Sequence, residues 1–300
     1  MIDPAGYTRF LSAPGLVIIA REGADLSFLQ RVWNDVNLQL ALMAVAVVLE
    51  LAAYAWQKRG RYCWATGVTS LPLLLAERFA HVGTLGIRFA VYALVAGLTV
   101  GSKIRLEGWT SWIVYFFLAD FIYYVAHRCH HVVRILWANH SVHHSITELN
   151  ALGGMQLGFV PVIAGNWLFG LPFVALGFDA NRLNTGFGIV IAYQIFIHTE
   201  VIRTLGPLEF LLQTPSRHRV HHGTNPEYRD KNFGGVTMLF DYLFGTAQRE
   251  IPGVVATYGL VQGQPFGRNP LVHGVRGYVE CFRFYRESLG RLISLRSRDA

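Results

Sequence analysis

"WTSWIVYFFLADFIYYVAHRCHH", residues 109–131, joins an apolar run to three histidines. The apolar part, from Trp109 to about Ala126, is long enough for a spanning helix, which needs roughly 17–25 residues. As one helix of 23 residues, the stretch is about 34 Å long against a hydrocarbon layer of ~30 Å. His127 and His131 therefore emerge at the inner membrane surface, and they share one helix face because they are four residues apart.

The composition of the whole chain also indicates a membrane protein. Of its 300 residues, 52% are hydrophobic and only 15% are charged, which is too apolar for an ordinary soluble domain. The sequence predicts an all-α integral membrane bundle of four or five spans or part-spans. Candidate spans are residues 37–57, with Glu50 as the only charge, 84–101, 109–126, 152–178 and 183–199. Gly and Pro interrupt the last two, so a re-entrant hairpin is the alternative there.

Basic residues give the chain a net charge of +7 and concentrate in the loop at residues 57–63 and in the carboxyl-terminal tail. Attraction to a membrane surface explains this distribution better than nucleic-acid binding does. If loop and tail share the cytosolic side, the third and fifth spans end there too. Residues 1–10 lack the pattern of a secretory signal. The three cysteines show no paired spacing, which argues against disulfides and a thiolate metal site.

Ten of the twelve histidines lie between residues 127 and 222, in four groups. "HSVHH" at 140–144 and "HRVHH" at 218–222 each place three histidines on one helix face. Ser216 is the predicted N-cap of the second of these helices and Gly223 its C-terminal stop. His198 lies at the end of the fifth span, four residues after Gln194. The four groups therefore meet in one layer at the inner surface.

So many imidazoles in one layer predict a metal site. Imidazole suits Fe, Zn, Cu and Ni, and one four-coordinate ion would use only four ligands, so the number favours two metals. His130 is out of phase with His127 and is assigned a supporting or surface role, while His81 and His273 are taken as ordinary histidines. The nine predicted ligands are His127, His131, His140, His143, His144, His198, His218, His221 and His222.

A metal-bound imidazole donates its other N–H to a nearby acceptor, which fixes the ring. The side chains predicted to act in this way, and so to support catalysis, are Asp120, Glu148, Glu200, Asp230 and Asn232. Asp120 lies about 10 Å along the helix from His127 and would have to meet a histidine of another segment. An acidic residue inside a span is costly and suggests a function, the alternative being a hydrogen bond in helix packing.

The pattern HRxxH, HxxHH, HxxHH resembles the fatty acid hydroxylase and sterol desaturase superfamily of membrane di-iron oxygenases. The stretch from "YQIFIHTE" through "SRHRVHHGTNPEYRDKNFGG" to "FDYLFGT" is especially similar to alkylglycerol monooxygenases and their bacterial relatives. The resemblance covers about residues 115–250 and implies that the nine histidines above are the metal ligands. Gln194 stands where some relatives carry a tenth histidine, which suggests that it supports a ligand.

The resemblance further implies an O₂-dependent di-iron hydroxylase that attacks a C–H bond of a membrane lipid, with zinc a possible substitute for the two Fe ions. Desaturation by the same site is the nearest alternative. Because no nucleotide, haem or ferredoxin motif is present, we expect electrons to come from a separate donor. The resemblance implies that this donor is a reduced pterin or a separate protein. Two other classes stay open, a zinc-dependent membrane hydrolase and a metal transporter.

The predicted organisation is a single membrane domain over residues 1–300, whose oligomeric state the sequence leaves open. Spans occupy residues 37–126, and the histidine-box oxygenase core at 115–250 includes a small cytosolic helical cap. Residues 251–300 form a cap-closing loop and a basic amphipathic helix. That helix lies on the anionic membrane surface or packs against the cap.

Overall fold

Helices joined by turns and irregular segments make up the part of the chain that the computed structural model describes, residues 26–60, 62–98, 104, 106, 108–160, 165–261 and 270–296. Within these ranges β pairing is limited to an isolated bridge between Leu212 and Thr237. The helices are α1 (Leu26–Trp56), α2 (Ala65–Gly83), α3 (Leu85–Gly97), α4 (Thr110–Val132), α5 (Arg134–His144), α6 (Ala151–Gly154), α7 (Trp167–Ala175), α8 (Ala180–Ile195), α9 (Pro215–His222), α10 (Leu239–Leu243) and α11 (Pro270–Arg296), with a 3₁₀ turn at Gly206–Phe210. The all-α prediction is confirmed for these residues, and residues 1–10, where a signal was not expected, lie outside them.

One described helix is long and apolar enough to cross a membrane alone, Asn37–Trp56 in α1. It matches the first predicted span. The second prediction, residues 84–101, begins where α3 begins, and α2 precedes it from Ala65 with a bend of 45° between the two helices. Together α2 and α3 are apolar enough for one broken span or a re-entrant loop. The total of four or five spans stays a prediction.

The two interrupted candidates do not form full-length spans. Residues 152–178 contain the four-residue α6 and the nine-residue α7, so a single helix there is wrong. The sixteen residues of α8 extend about 24 Å and end before His198. A hairpin joins α7 to α8, with Gly177 at a φ of +96° and Asp179 accepting a hydrogen bond from the Arg182 N–H at 2.8 Å. Both helices are shorter than the ~30 Å hydrocarbon layer.

The core that positions the functional end of the molecule lies between α4 and α8. Tyr115 and Ala119 of α4 are buried against α8, and a Cβ on Gly186 would meet the Ala119 Cβ at 2.8 Å. The two backbones approach this closely because residue 186 has no side chain. Both helices carry their histidine-bearing ends to the same side.

The tail helix α11 packs against α5, where a Cβ on Gly277 would lie 2.5 Å from the Ala138 carbonyl oxygen. The Tyr278 hydroxyl donates to Asn139 Oδ1 at 3.1 Å. Another face exposes Val275 and Phe282. The helix therefore makes the cap contact that the sequence offered as one alternative, and contact of its exposed face with a membrane stays a prediction.

Candidate metal centre

Four chain segments bring the histidines together at the ends of helices. His127 and His131 close α4, and α5 ends with "HSVHH". His198 follows α8 by three residues, and α9 carries the last triplet. The start of α9 differs from prediction. Its N-cap is Thr214, whose side chain accepts from the Arg217 N–H at 3.3 Å, because Pro215 takes the first helical position and draws Ser216 into the helix.

The nine histidines predicted as ligands form two adjoining groups, each with its ligand atoms within 4.8 Å of one another. The five-histidine group consists of His127, His131, His140, His144 and His221, and the four-histidine group of His143, His198, His218 and His222. The groups touch where the His144 and His222 rings stack, with centroids 4.4 Å apart. His130 lies outside both groups, and its ring stacks on that of His140 at 5.5 Å.

Within the four-histidine group, the Nε2 atoms of His143 and His198 face each other without a proton between them. His143 Nδ1 lies 3.1 Å from the Gln156 carbonyl and His198 Nδ1 lies 2.8 Å from the Gln194 carbonyl. Because a carbonyl only accepts, each Nδ1 carries the hydrogen and each Nε2 presents a lone pair. The two Nε2 atoms are 3.1 Å apart, and His218 Nε2 is 2.8 Å from that of His198.

Such a contact between lone pairs is repulsive unless a cation lies among them. Two ligand nitrogens bound to one ion at about 2.1 Å lie about 3.0–3.4 Å from each other, close to these separations. In the five-histidine group, the Nε2 atoms of His127 and His140 lie at a similar separation, 3.1 Å. Its other three Nε2 atoms, those of His131, His144 and His221, are buried without a hydrogen-bond partner. The donor set therefore fits two metal ions.

Burial keeps these imidazoles neutral. It lowers the pKa of His143 to about 3 and that of His198 to about 4. Burial also holds the pKa values of His144, His218 and His222 well below their usual range, and neighbouring imidazoles add to the effect. A neutral ring keeps its lone pair for a metal.

Backbone carbonyls, which sequence reasoning missed, accept the outward-facing N–H groups of four of the nine histidines. Besides the Gln156 and Gln194 carbonyls, the Phe233 carbonyl lies 3.0 Å from His127 Nδ1 and the Lys231 carbonyl 2.9 Å from His221 Nδ1. Every residue has a carbonyl, so composition gives no signal for them. Of the five side chains predicted for this role, Asp230 lies 3.4 Å from His131 Nδ1. That hydrogen bond lowers the pKa of the Asp230 carboxyl.

The other four predicted side chains contact groups other than histidine in the described structure. Asp120 accepts a hydrogen bond from the Val236 N–H at 2.7 Å. Its role is therefore closer to the predicted alternative, a hydrogen bond that supports packing. The Asn232 amide donates to the Arg217 and Gln248 carbonyls, at 2.9 Å and 2.8 Å. Glu200 bonds to Tyr258, and Glu148 is exposed at the surface. The prediction that these four side chains accept a hydrogen bond from a histidine ring is therefore wrong for the described structure.

Gln194 acts beside the ligands. Its carbonyl accepts from His198 Nδ1 at 2.8 Å, and its side-chain Nε2 donates to the Gly235 carbonyl. Because the amide nitrogen is used in this way, the residue links α8 to the segment after α9.

Known proteins share these histidine-bearing segments. The family model described as "Fatty acid hydroxylase" matches residues 112–246. Alkylglycerol monooxygenase of Xenopus tropicalis is 36% identical over 200 residues, covering 65% of this chain and 43% of that protein. The Homo sapiens alkylglycerol monooxygenase is 42% identical over 152 residues, covering 51% of this chain and 33% of the relative.

A bacterial relative is more distant. Ornithine lipid hydroxylase OlsE of Rhizobium tropici is 30% identical over 162 residues, covering 50% of this chain and 49% of that protein. The chain thus spans less than half of the length of these relatives. No solved structure gives a significant match. Residues 112–246 of this chain are therefore similar to the fatty acid hydroxylase family.

Proposed function

We propose that this protein is an O₂-dependent di-iron hydroxylase that inserts oxygen into a C–H bond of a membrane lipid. The observation that carries the proposal is the pair of adjoining, buried groups of five and four histidines. The donor nitrogens are all imidazole, a ligand type that suits iron. The five-histidine group and the four-histidine group would each hold one ion.

Relatives support the reaction class. Two of these relatives are alkylglycerol monooxygenases and one is an ornithine lipid hydroxylase, so their names share the addition of oxygen to a lipid. An unactivated C–H bond offers neither an acidic proton nor a leaving group, so side-chain acids and bases cannot break it alone. When bound, the iron supplies the redox chemistry that activates O₂ for this step.

The chain's own residues would prepare and shield the site. Burial keeps the imidazoles neutral, and the carbonyls behind them fix which nitrogen faces inward. The same burial excludes water from the reacting carbon. Positioning of the lipid carbon then becomes a matter of geometry.

Helix α7 is the proposed approach for the lipid chain. It belongs to the hairpin that does not fully cross, and its Phe169 ring lies 6.2 Å from the ring of His130. His130 stacks in turn on His140 of the five-histidine group. An apolar helix that ends against the histidine layer offers an acyl chain a path from the bilayer to the site.

The reductant would reach the site from the cytosolic face, as a reduced pterin or a separate protein donor. Placement on the cytosolic side of an inner membrane or endoplasmic reticulum rests on the basic residues of the loop and tail. The side of the membrane is proposed from the charge pattern, and the kind of reductant from the resemblance.

A desaturase would use the same groups and the same hydrogen abstraction. A zinc hydrolase instead needs a general base beside the metal. Among the described residues, the carboxylate beside a grouped histidine is that of Asp230, which is 68% exposed and already hydrogen-bonded to His131. This arrangement favours the oxygenase.

The test combines metal analysis with isotope labelling. Protein from iron-replete cells should contain about two iron ions per chain, and host lipids exposed to ¹⁸O₂ should gain one labelled oxygen. The matched control is His221→Ala, which should abolish labelling. A new double bond without label would identify a desaturase, and full turnover without O₂ would exclude both oxidative reactions.

A further inference from the structure

Residues 230–237, here called the bracing loop, contact the five-histidine group through three acceptors within four residues. Asp230 Oδ1 lies 3.4 Å from His131, the Lys231 carbonyl 2.9 Å from His221 and the Phe233 carbonyl 3.0 Å from His127. All three histidines belong to the same group. One short loop therefore sets the orientation of three of its five rings.

The bracing loop is held from its far side by two fully buried carboxylates, Asp241 and Asp120. Asp241 accepts from the Phe233 N–H at 2.8 Å, the Gly234 N–H at 2.7 Å and the Thr246 hydroxyl at 2.7 Å. Asp120 accepts from the Val236 N–H at 2.7 Å and from the Thr237 N–H at 3.1 Å and hydroxyl at 2.6 Å. Four backbone N–H groups of the loop thus end on two side chains.

The loop conformation requires this support. Asp230 and Asn232 have φ values of +56° and +55°, in the left-handed region that non-glycine residues avoid. A Cβ on Gly234 would lie 2.8 Å from Asp241 Oδ2, and one on Gly235 would lie 2.7 Å from Asp120 Oδ1. A strained backbone persists when surrounding contacts over-determine it, and here the carboxylates hold N–H groups of the residues that follow Asn232.

We propose that Asp241 and Asp120 are positioning residues for one metal, because they fix the loop that orients the five-histidine group. The inference rests on the proposed binding of two metals. The four-histidine group takes acceptors elsewhere, from the Gln156 carbonyl for His143 and the Gln194 carbonyl for His198. Loss of a carboxylate should therefore weaken binding of the ion at the five-histidine group and leave binding at the four-histidine group unchanged.

Asp241→Asn is the perturbation of choice. An amide has one accepting oxygen in place of two, so its NH₂ group would face a loop N–H and the loop would move. Mutation of groups that orient metal ligands typically lowers metal affinity about 10–100-fold. We expect metal affinity to fall by this factor at the five-histidine group and to stay unchanged at the four-histidine group.

The assay is a Co²⁺ titration of the purified, metal-free, full-length protein in detergent, followed by visible absorption. Wild type should bind two equivalents. His218→Ala isolates the five-histidine group, and adding Asp241→Asn should then weaken its Co²⁺ binding about 10–100-fold. In the His221→Ala background, which retains the other group, the same change should leave Co²⁺ binding unchanged.

Tyr92→Phe is the matched stability control, because it removes a buried hydrogen bond of 2.8 Å to the Trp167 carbonyl away from the loop. It should leave both Co²⁺ affinities unchanged. Thr237→Val, which removes one of the three bonds to Asp120, is the milder variant if Asp241→Asn does not fold, and it should weaken the five-histidine group alone. Equal weakening of both groups, or of neither, would overturn the inference. Failure of wild type to bind Co²⁺ would count against the proposed function.

Discussion

Gly154→Ala should disable the four-histidine group by displacing one ring. Gly154 ends α6 against His198, and a Cβ there would lie 2.8 Å from the ring carbon Cγ and 2.9 Å from the His198 Cβ. Non-bonded carbons rest about 3.5 Å apart, so the histidine has to move by roughly 0.7 Å.

That displacement matters because His198 is held between two other ligands. Its Nε2 lies 3.1 Å from that of His143 and 2.8 Å from that of His218. Functional groups need to stay within about 0.5 Å of their productive positions. We expect metal affinity at this group to fall about 10–100-fold, equivalent to roughly 1.4–2.8 kcal/mol.

Co²⁺ titration in the His221→Ala background measures the four-histidine group alone. Gly188→Ala in α8 is the control, since its Cβ would meet nothing within 4 Å. The control should bind Co²⁺ like its parent and gain about 0.5–1 kcal/mol of helix stability. An unchanged affinity in Gly154→Ala would show that α6 yields instead of the ring, and would refute the reasoning.

Three further predictions concern the scaffold. Glu50→Ala leaves three hydrogen-bond donors from separate segments without their acceptor. We therefore expect the free energy of unfolding in detergent to fall by about 3 kcal/mol, and an unchanged melting midpoint would contradict this. Gly277→Ala places a Cβ 2.5 Å from the Ala138 carbonyl, so α11 should separate from α5 and exchange its amide hydrogens faster, whereas a wild-type exchange pattern would argue against the contact. Removing bound metal with a chelator should lower the melting midpoint, because ligand at 100 times its dissociation constant contributes about 2.7 kcal/mol, and an equal midpoint for both forms would contradict linkage.

The sequence predicted the histidine layer well because helical spacing carries that information. His127 and His131, four apart, share a face whatever the details of packing. The acceptors behind the rings follow from tertiary contacts instead. The Phe233 carbonyl reaches His127 across 106 residues, and nothing in the residue type announces it. The prediction that carboxylates support the rings is therefore right for Asp230, which lies beside His131. It is wrong for Asp120, which accepts hydrogen bonds from loop N–H groups.

Breaks between helices are harder to predict, for a different reason. Hydropathy averages over a window, so it registers the apolar character of α2 and α3 together but not the 45° bend between them. The same averaging merged α6 and α7 into one candidate. The N-cap of α9 is Thr214, two residues before the predicted Ser216, because Pro215 occupies the first helical position.

Burial of nine imidazoles in one layer costs free energy unless each nitrogen has a partner. The chain supplies acceptors to the Nδ1 atoms of His127, His143, His198 and His221 from four different carbonyls. A purely structural network would satisfy the inward nitrogens in the same way. Instead, the Nε2 atoms of His131, His144 and His221 lack a hydrogen-bond partner, and others face each other at 2.8–3.1 Å. For His127, His143, His198 and His221 the polypeptide thus completes the Nδ1 side of the ring and leaves Nε2 to a cation, which ties stability of this layer to metal binding.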